Sequence, residues 1–166
     1  TISYYAAPAD QLGMLDAASF QTAIIVLAIQ NIKNMSDVFA ACSRVLVPGG
    51  RLVMVINHPA FRIPKRSSWG WDAAHGVQYR RIDAYLTELR TGIEMHPGLK
   101  NKDETVSFHR PMQSYVNTLA KQGFAVTRME EWISHKESLK GPRQAAENKS
   151  RKEIPLFMML ESRKWQ

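Results

Sequence analysis

The passage with the most chemical potential is Asn57-His58-Pro59-Ala60-Phe61, which leaves an apolar run, Leu52-Val53-Met54-Val55-Ile56. A histidine just past a strand can serve as a general base or orient a substrate, since imidazole titrates near neutrality. His58 is therefore the candidate catalytic residue; a structural turn is the other reading of the same position. Further along, Trp69, Trp71, Tyr79, Arg80, Tyr85, His109 and Arg110 could wall a binding pocket. Aromatic rings supply shape, and arginine can grip a carboxylate or phosphate with two parallel hydrogen bonds. A small satellite core under a long loop would use the same residues. His75, His96, His109 and His135 show no metal-ligand spacing, and no metal is expected. The single cysteine, Cys42, excludes an internal disulfide and a Cys-based zinc site, and it falls on the apolar side of a helix. No Ser-His-Asp set and no pair of carboxylates stands out.

These residues need elements to position them. Ile2-Ser3-Tyr4-Tyr5-Ala6 is β-branched and aromatic and reads as a strand ended by Pro8 and Asp10. Ala23 to Ile29 is a continuous apolar run of strand length, the texture of a strand buried on both faces of a parallel sheet. Ser36 reads as an N-cap with Asp37 in the first turn, and Val38, Phe39, Cys42, Val45 and Leu46 follow helical spacing. Pro48-Gly49-Gly50 stops that helix before the strand Leu52–Ile56. Strand, helix and strand make a right-handed βαβ unit. Residues 59–110 are a long insertion in which Tyr79 to Arg90 could form a strand or hairpin arm, with Gly92 and Pro97-Gly98 as punctuation. Pro111 fits the first turn of a helix with the stripe Met112, Tyr115, Val116 and Leu119, ended by Gly123. Phe124 to Met129 is a further strand, 135–153 a polar surface loop with some helix, and Ile154 to Glu161 a last strand.

The chain has 166 residues, about one domain's worth. Its longest apolar run has seven residues, Ala23 to Ile29, where a membrane-spanning helix needs about 20. The net charge is +7. Residues 57–110 hold nine basic and six acidic side chains, and residues 135–166 hold eight and four, so the excess sits outside the apolar half. That charge leaves open a basic module for nucleic acid or an acidic partner, although a solvated surface is the plainer reading. A reducing, cytoplasmic setting fits the cysteine count.

The order of elements and four passages resemble the C-terminal two thirds of a class I S-adenosylmethionine-dependent methyltransferase of small-molecule type. Ala9-Asp10-Gln11-Leu12 with Ala18-Ser19-Phe20-Gln21-Thr22-Ala23 is similar to the family's "AD…L…SFD-A" passage, with Gln21 in place of its Asp. Leu27-Ala28-Ile29-Gln30-Asn31-Ile32 is similar to the segment leaving its fourth strand, and Arg44-Val45-Leu46-Val47-Pro48-Gly49-Gly50-Arg51-Leu52 to its "R-L-PGG-L" turn into the fifth. Ala120-Lys121-Gln122-Gly123-Phe124 looks like its helix end before the sixth. His58-Pro59, Arg81-Ile82-Asp83-Ala84-Tyr85 and His109-Arg110-Pro111 resemble the "HP-F", "R…D-Y" and "HRP" of a small-molecule subgroup.

The resemblance implies an α/β fold: a partial Rossmann-like sheet, strands 3 to 7 of a seven-stranded one, with helices on both faces and a long insertion after the fifth strand. Residues 1–166 would be a single partial domain, lacking the family's glycine-rich cofactor loop and the acidic residue ending its second strand. It implies S-adenosylmethionine as cofactor of the intact enzyme, with Ala9, Asp10 and Gln11 near the adenine and Leu27, Ala28 and Gln30 near the methionine part. Tyr79, Arg80, Tyr85, His109 and Arg110 would face a small-molecule acceptor. The family's strand order, 3-2-1-4-5-7-6, leaves the Ala23–Ile29 strand as an exposed edge in such a fragment. Self-association or poor solubility, and negligible cofactor binding by the fragment alone, are the expected consequences. Nucleic acid is a less favoured partner, and no membrane partner is expected.

Overall fold

The computed structural model describes residues 2–94 and 104–165; His96 and the Pro97-Gly98 punctuation lie outside them. A four-stranded sheet, ordered β1-β2-β8-β7, carries the core. β1 is Phe20–Val26 and β2 is Leu46–Asn57, and they run parallel, with Thr22 opposite Arg51 and Val26 opposite Val55. Between them lie a 3-10 turn, Ile29–Asn31, and the helix α1, Met35–Val45. β7, Phe124–Trp132, and β8, Phe157–Lys164, pair antiparallel, and β8 also pairs antiparallel with β2. The order is the one expected for strands 4-5-7-6 of the family's sheet.

The core forms on one face of this sheet. Leu52, Met54 and Ile56 of β2 alternate with partly exposed Val53 and Val55, as a pleated strand requires. They pack with Met158 and Leu160 of β8 and with Val38, Phe39 and Cys42 of α1. The helix α2, Met112–Lys121, adds Tyr115 and Leu119 to the same cluster. Burying each such side chain stabilises the fold by about 1.5–3 kcal/mol. Pro111 caps α2 with extended backbone, and Gly123 follows it at φ +80°, a conformation that favours glycine.

The insertion folds as two separate antiparallel hairpins. β3, Ser67–Asp72, pairs with β4, Val77–Ile82, and β5, Leu89–Glu94, with β6, Glu104–His109. In the first, the ring of Tyr79 lies across Gly70 so closely that a Cβ there would fall 2.4 Å from it. The helix α3, Gln144–Glu153, docks on this hairpin rather than on the sheet. Ser150 Oγ donates to the Gln78 carbonyl at 2.7 Å, and Arg143 and Arg151 stand over the rings of Trp71 and Trp69.

Five expectations need correction. Pro48-Gly49-Gly50 does not separate helix from strand: α1 ends at Val45, and the passage lies inside β2, which begins at Leu46. Ile2 to Ala6 forms no strand: no neighbour among the described residues pairs with it, and Ile2, Tyr4 and Tyr5 are exposed. The Ala23–Ile29 run is not buried on both faces, because β1 is an edge strand whose Ile24 and Val26 face outward. The sheet carries α1 and α2 on one face, with α3 on the hairpin, instead of helices on both faces. Ser36 lies inside α1, and Asn34 stands at its N-cap with no side-chain hydrogen bond.

Candidate functional site

The carboxyl ends of the two parallel strands deliver neighbouring segments, the location where open α/β sheets bind ligands. Past β1, Leu27 adopts a left-handed φ of +50° while its N–H donates to the Val55 carbonyl at 2.7 Å. A left-handed non-glycine residue stores on the order of 1 kcal/mol or more of strain, and such residues cluster at functional sites. The kink leaves Leu27 and Ala28 exposed and sends Ile29 and Gln30 inward. The Gln30 Oε1 is buried and has no hydrogen-bond partner among the described residues.

Past β2, His58 is buried. Its Nδ1 accepts from the N–H groups of Ala60 and Phe61, at 3.1 and 3.3 Å. Its Nε2 faces Glu131 Oε1 at 2.8 Å. A backbone N–H can only donate and a carboxylate accepts, so the proton sits on Nε2. The ring is thus a clasp joining the 58–61 turn to β7. Both nitrogens are engaged, and neither faces solvent as a free base.

The acceptor-side candidates divide. Arg80 donates from Nε to the Phe61 carbonyl at 2.7 Å and from Nη2 to Ser67 Oγ at 2.8 Å, and its guanidinium stands 5.2 Å from the Trp69 ring centre. Tyr79 covers Gly70. Both build the hairpin. Tyr85 and His109 meet at the start of α2: His109 Nε2 donates to the Tyr85 carbonyl at 2.7 Å, and the Tyr85 hydroxyl accepts from the Met112 N–H at 3.0 Å. That bond satisfies one of the first-turn donors a helix leaves open. Arg110 spans back to the 3-10 turn, its Nη2 donating to the carbonyls of Ile32 and Lys33 at 2.8 and 2.7 Å. Its Nη1 is buried without a partner among the described residues.

Gln30, His109 and Arg110 therefore meet, together with Asn57, Arg62 and Tyr115, around one narrow cleft. Burial raises the Tyr115 hydroxyl above its ordinary pKa, partly offset by the nearby Arg110 charge. Arg62 was not among the candidates read from the sequence, although it sits four residues past His58 and its N–H donates to the His58 carbonyl at 2.8 Å. Glu131 was missed as well, since nothing local marks a partner so far along the chain. Ala9, Asp10 and Gln11 lie apart from this cleft lining, in a turn closed by the Gln11 N–H on the Pro8 carbonyl at 2.9 Å. Arg44 pins the following loop through the carbonyls of Leu12 and Leu15. A wider concavity of about 620 Å³ lies between the 136–144 loop and α3, and it is lined by none of the candidate residues. Among the described residues no cluster of three His, Cys, Asp or Glu could hold a metal, and no helix is long and apolar enough to cross a membrane.

A methyltransferase-domain family model matches residues 1–54. A crystal structure of an S-adenosylmethionine-dependent methyltransferase from Mesorhizobium loti is 27% identical, with a TM-score of 0.70 over 95% of this chain and 68% of that one. A Listeria monocytogenes protein assigned to the same class is 18% identical at the same TM-score, over 99% of this chain and 70% of its own. A third, from Methanosarcina mazei, is 15% identical with a TM-score of 0.55, over 96% and 65%. No curated protein sequence matches the chain. The chain has the Rossmann-like fold of class I S-adenosylmethionine-dependent methyltransferases. Its first 54 residues carry the sequence pattern of the methyltransferase domain.

Proposed function

We propose that the protein transfers a methyl group from S-adenosylmethionine to a small-molecule acceptor. The observation that carries this reading is the kinked end of β1, with Leu27 and Ala28 exposed at the carboxyl end of a parallel strand in a methyltransferase fold. The residues present fit part of the cofactor. No side-chain hydrogen bond holds the Asp10 carboxylate among the described residues, leaving it free to accept from an adenine amino group, with Ala9 and Gln11 alongside. Leu27 and Ala28 offer exposed backbone to the amino-acid end.

When bound, the cofactor supplies an electrophilic methyl group on a sulfonium. Transfer of such a group asks for alignment more than for acid–base chemistry, and alignment alone can lower a barrier by roughly 7–11 kcal/mol. The clasped His58 suits that demand. It holds the 58–61 turn in place beside the cleft, which supports a positioning role in place of the general-base role considered from sequence. Tyr85 and His109 fix the start of α2, and Arg110 ties it to the 3-10 turn that carries Gln30. Together they set the distance between the cofactor side and the acceptor side of the cleft.

The nucleic-acid reading finds less support. The faces of Trp69 and Trp71 are taken by Arg80, Arg151 and Arg143 of the same chain, so the interleaved rings and charges build internal packing instead of a stacking platform. Calorimetric titration of the full-length protein with S-adenosylhomocysteine tests the methyl-transfer reading. Saturable binding is expected, and no binding at millimolar ligand would overturn it.

A further inference from the structure

We infer that the cleft lined by Gln30, Arg62 and Arg110 is an anion subsite that receives a carboxylate of the methyl acceptor. The inference deepens the methyl-transfer reading and rests on it for the word acceptor.

Four observations converge. Two polar atoms in the lining, Gln30 Oε1 and Arg110 Nη1, are buried without partners among the described residues, and their residues are 8% and 7% exposed. Leaving a buried polar group unsatisfied costs about 1–3 kcal/mol, more for a charged one, so a lining with two of them is built for something that fills it. Second, the lining holds two guanidinium groups and no carboxylate. Neither Arg62 nor Arg110 has an acidic partner within salt-bridge distance among the described residues, unlike Arg81 on Asp83. Third, Arg62 keeps solvent contact, stands 4.9 Å from the ring centre of Phe157, and makes no side-chain hydrogen bond among the described residues. Like charges gathered without a counter-ion are stabilised when an anion arrives. Fourth, the cleft is small, about 20 Å³, a little more than one water requires. That admits the oxygens of a carboxylate and excludes a ring, so the body of the acceptor would remain outside.

The amide of Gln30 can present its Nε2 inward as readily as its Oε1. In that orientation Gln30, Arg62 and Arg110 are three donors around two acceptor oxygens. Glu88, whose charge reaches Tyr115, is held by Ser114 Oγ at 2.8 Å and does not line the cleft.

Titration with sodium acetate, acetamide and inorganic phosphate at fixed ionic strength, read from the arginine side-chain N–H signals in nitrogen-15 NMR spectra, tests the inference. Acetate is expected to shift the Arg62 and Arg110 signals saturably, at least tenfold more tightly than acetamide. Arg62→Gln, at a solvent-contacting position, should weaken acetate at least fivefold. Gln30→Glu, which sets a carboxylate among the arginines, should abolish acetate binding. Equal binding of acetamide, a preference for phosphate, or acetate affinity unchanged in both variants would overturn the carboxylate assignment. A parallel titration with S-adenosylhomocysteine separates the two readings. Its binding without acetate binding refutes the subsite alone, and acetate binding without it refutes the methyl-transfer role and leaves a bare anion site.

Discussion

His58 Nε2 and Glu131 Oε1 lie 2.8 Å apart, joining the turn after β2 to the far edge strand β7 across 73 residues of sequence. The bond fixes the tautomer, since Nδ1 already accepts from Ala60 and Phe61. His58→Ala should therefore destabilise the fold by about 2–3 kcal/mol in urea unfolding, through two orphaned N–H groups and a cavity. Glu131→Gln keeps an acceptor on a half-exposed side chain and should cost less than about 1 kcal/mol. Equal costs for the two would contradict the clasp.

Tyr85 caps α2 through its hydroxyl. Tyr85→Phe removes one acceptor from the Met112 N–H and should lower stability by about 1 kcal/mol, with the loss localised to faster amide exchange in the first turn of α2.

Burial pushes the Cys42 thiol up to about 11. Its folded pKa thus lies above that of the unfolded chain, so the neutral thiol favours the folded state below pH 9 and that preference is lost as pH rises towards 11. Unfolding free energy should fall over that window by on the order of 2–3 kcal/mol, and Cys42→Ala should remove this part of the fall. In native protein at pH 8 the thiol should resist iodoacetamide and react only after unfolding.

The outer edge of the sheet makes a further prediction. β1 has no partner on its free side among the described residues, and Ile24 and Val26 are 67% and 58% exposed beside it. Such edges recruit other strands. Light scattering of the 166-residue chain should report self-association that Ile24→Lys reduces. A monodisperse monomer of the parent sequence would contradict it.

The legible parts of the sequence were those governed by local rules. The apolar run of β2 and Pro111 with Gly123 around α2 fell where expected, because periodicity and special backbone geometry are properties of neighbours in sequence. The strand order followed from the family likeness. What stayed illegible depends on partners. Ile2 to Ala6 has strand composition but nothing to pair with among the described residues. Arg80 and Tyr79 have the chemistry of a binding wall and are consumed by the hairpin they stand on. Arg62 gains meaning only when the 58–62 turn sets it beside Arg110, 48 positions onward. Two residues sharing a cleft across such a separation leave no periodic trace.

The account stands most directly on where the cofactor end of the site lies. Backbone amide shifts of the full-length protein titrated with S-adenosylhomocysteine measure it. Saturable shifts at Asp10–Gln11 and at Leu27–Gln30 are the predicted result. An absence of shifts at millimolar ligand, or shifts confined to the concavity beside α3, would contradict it.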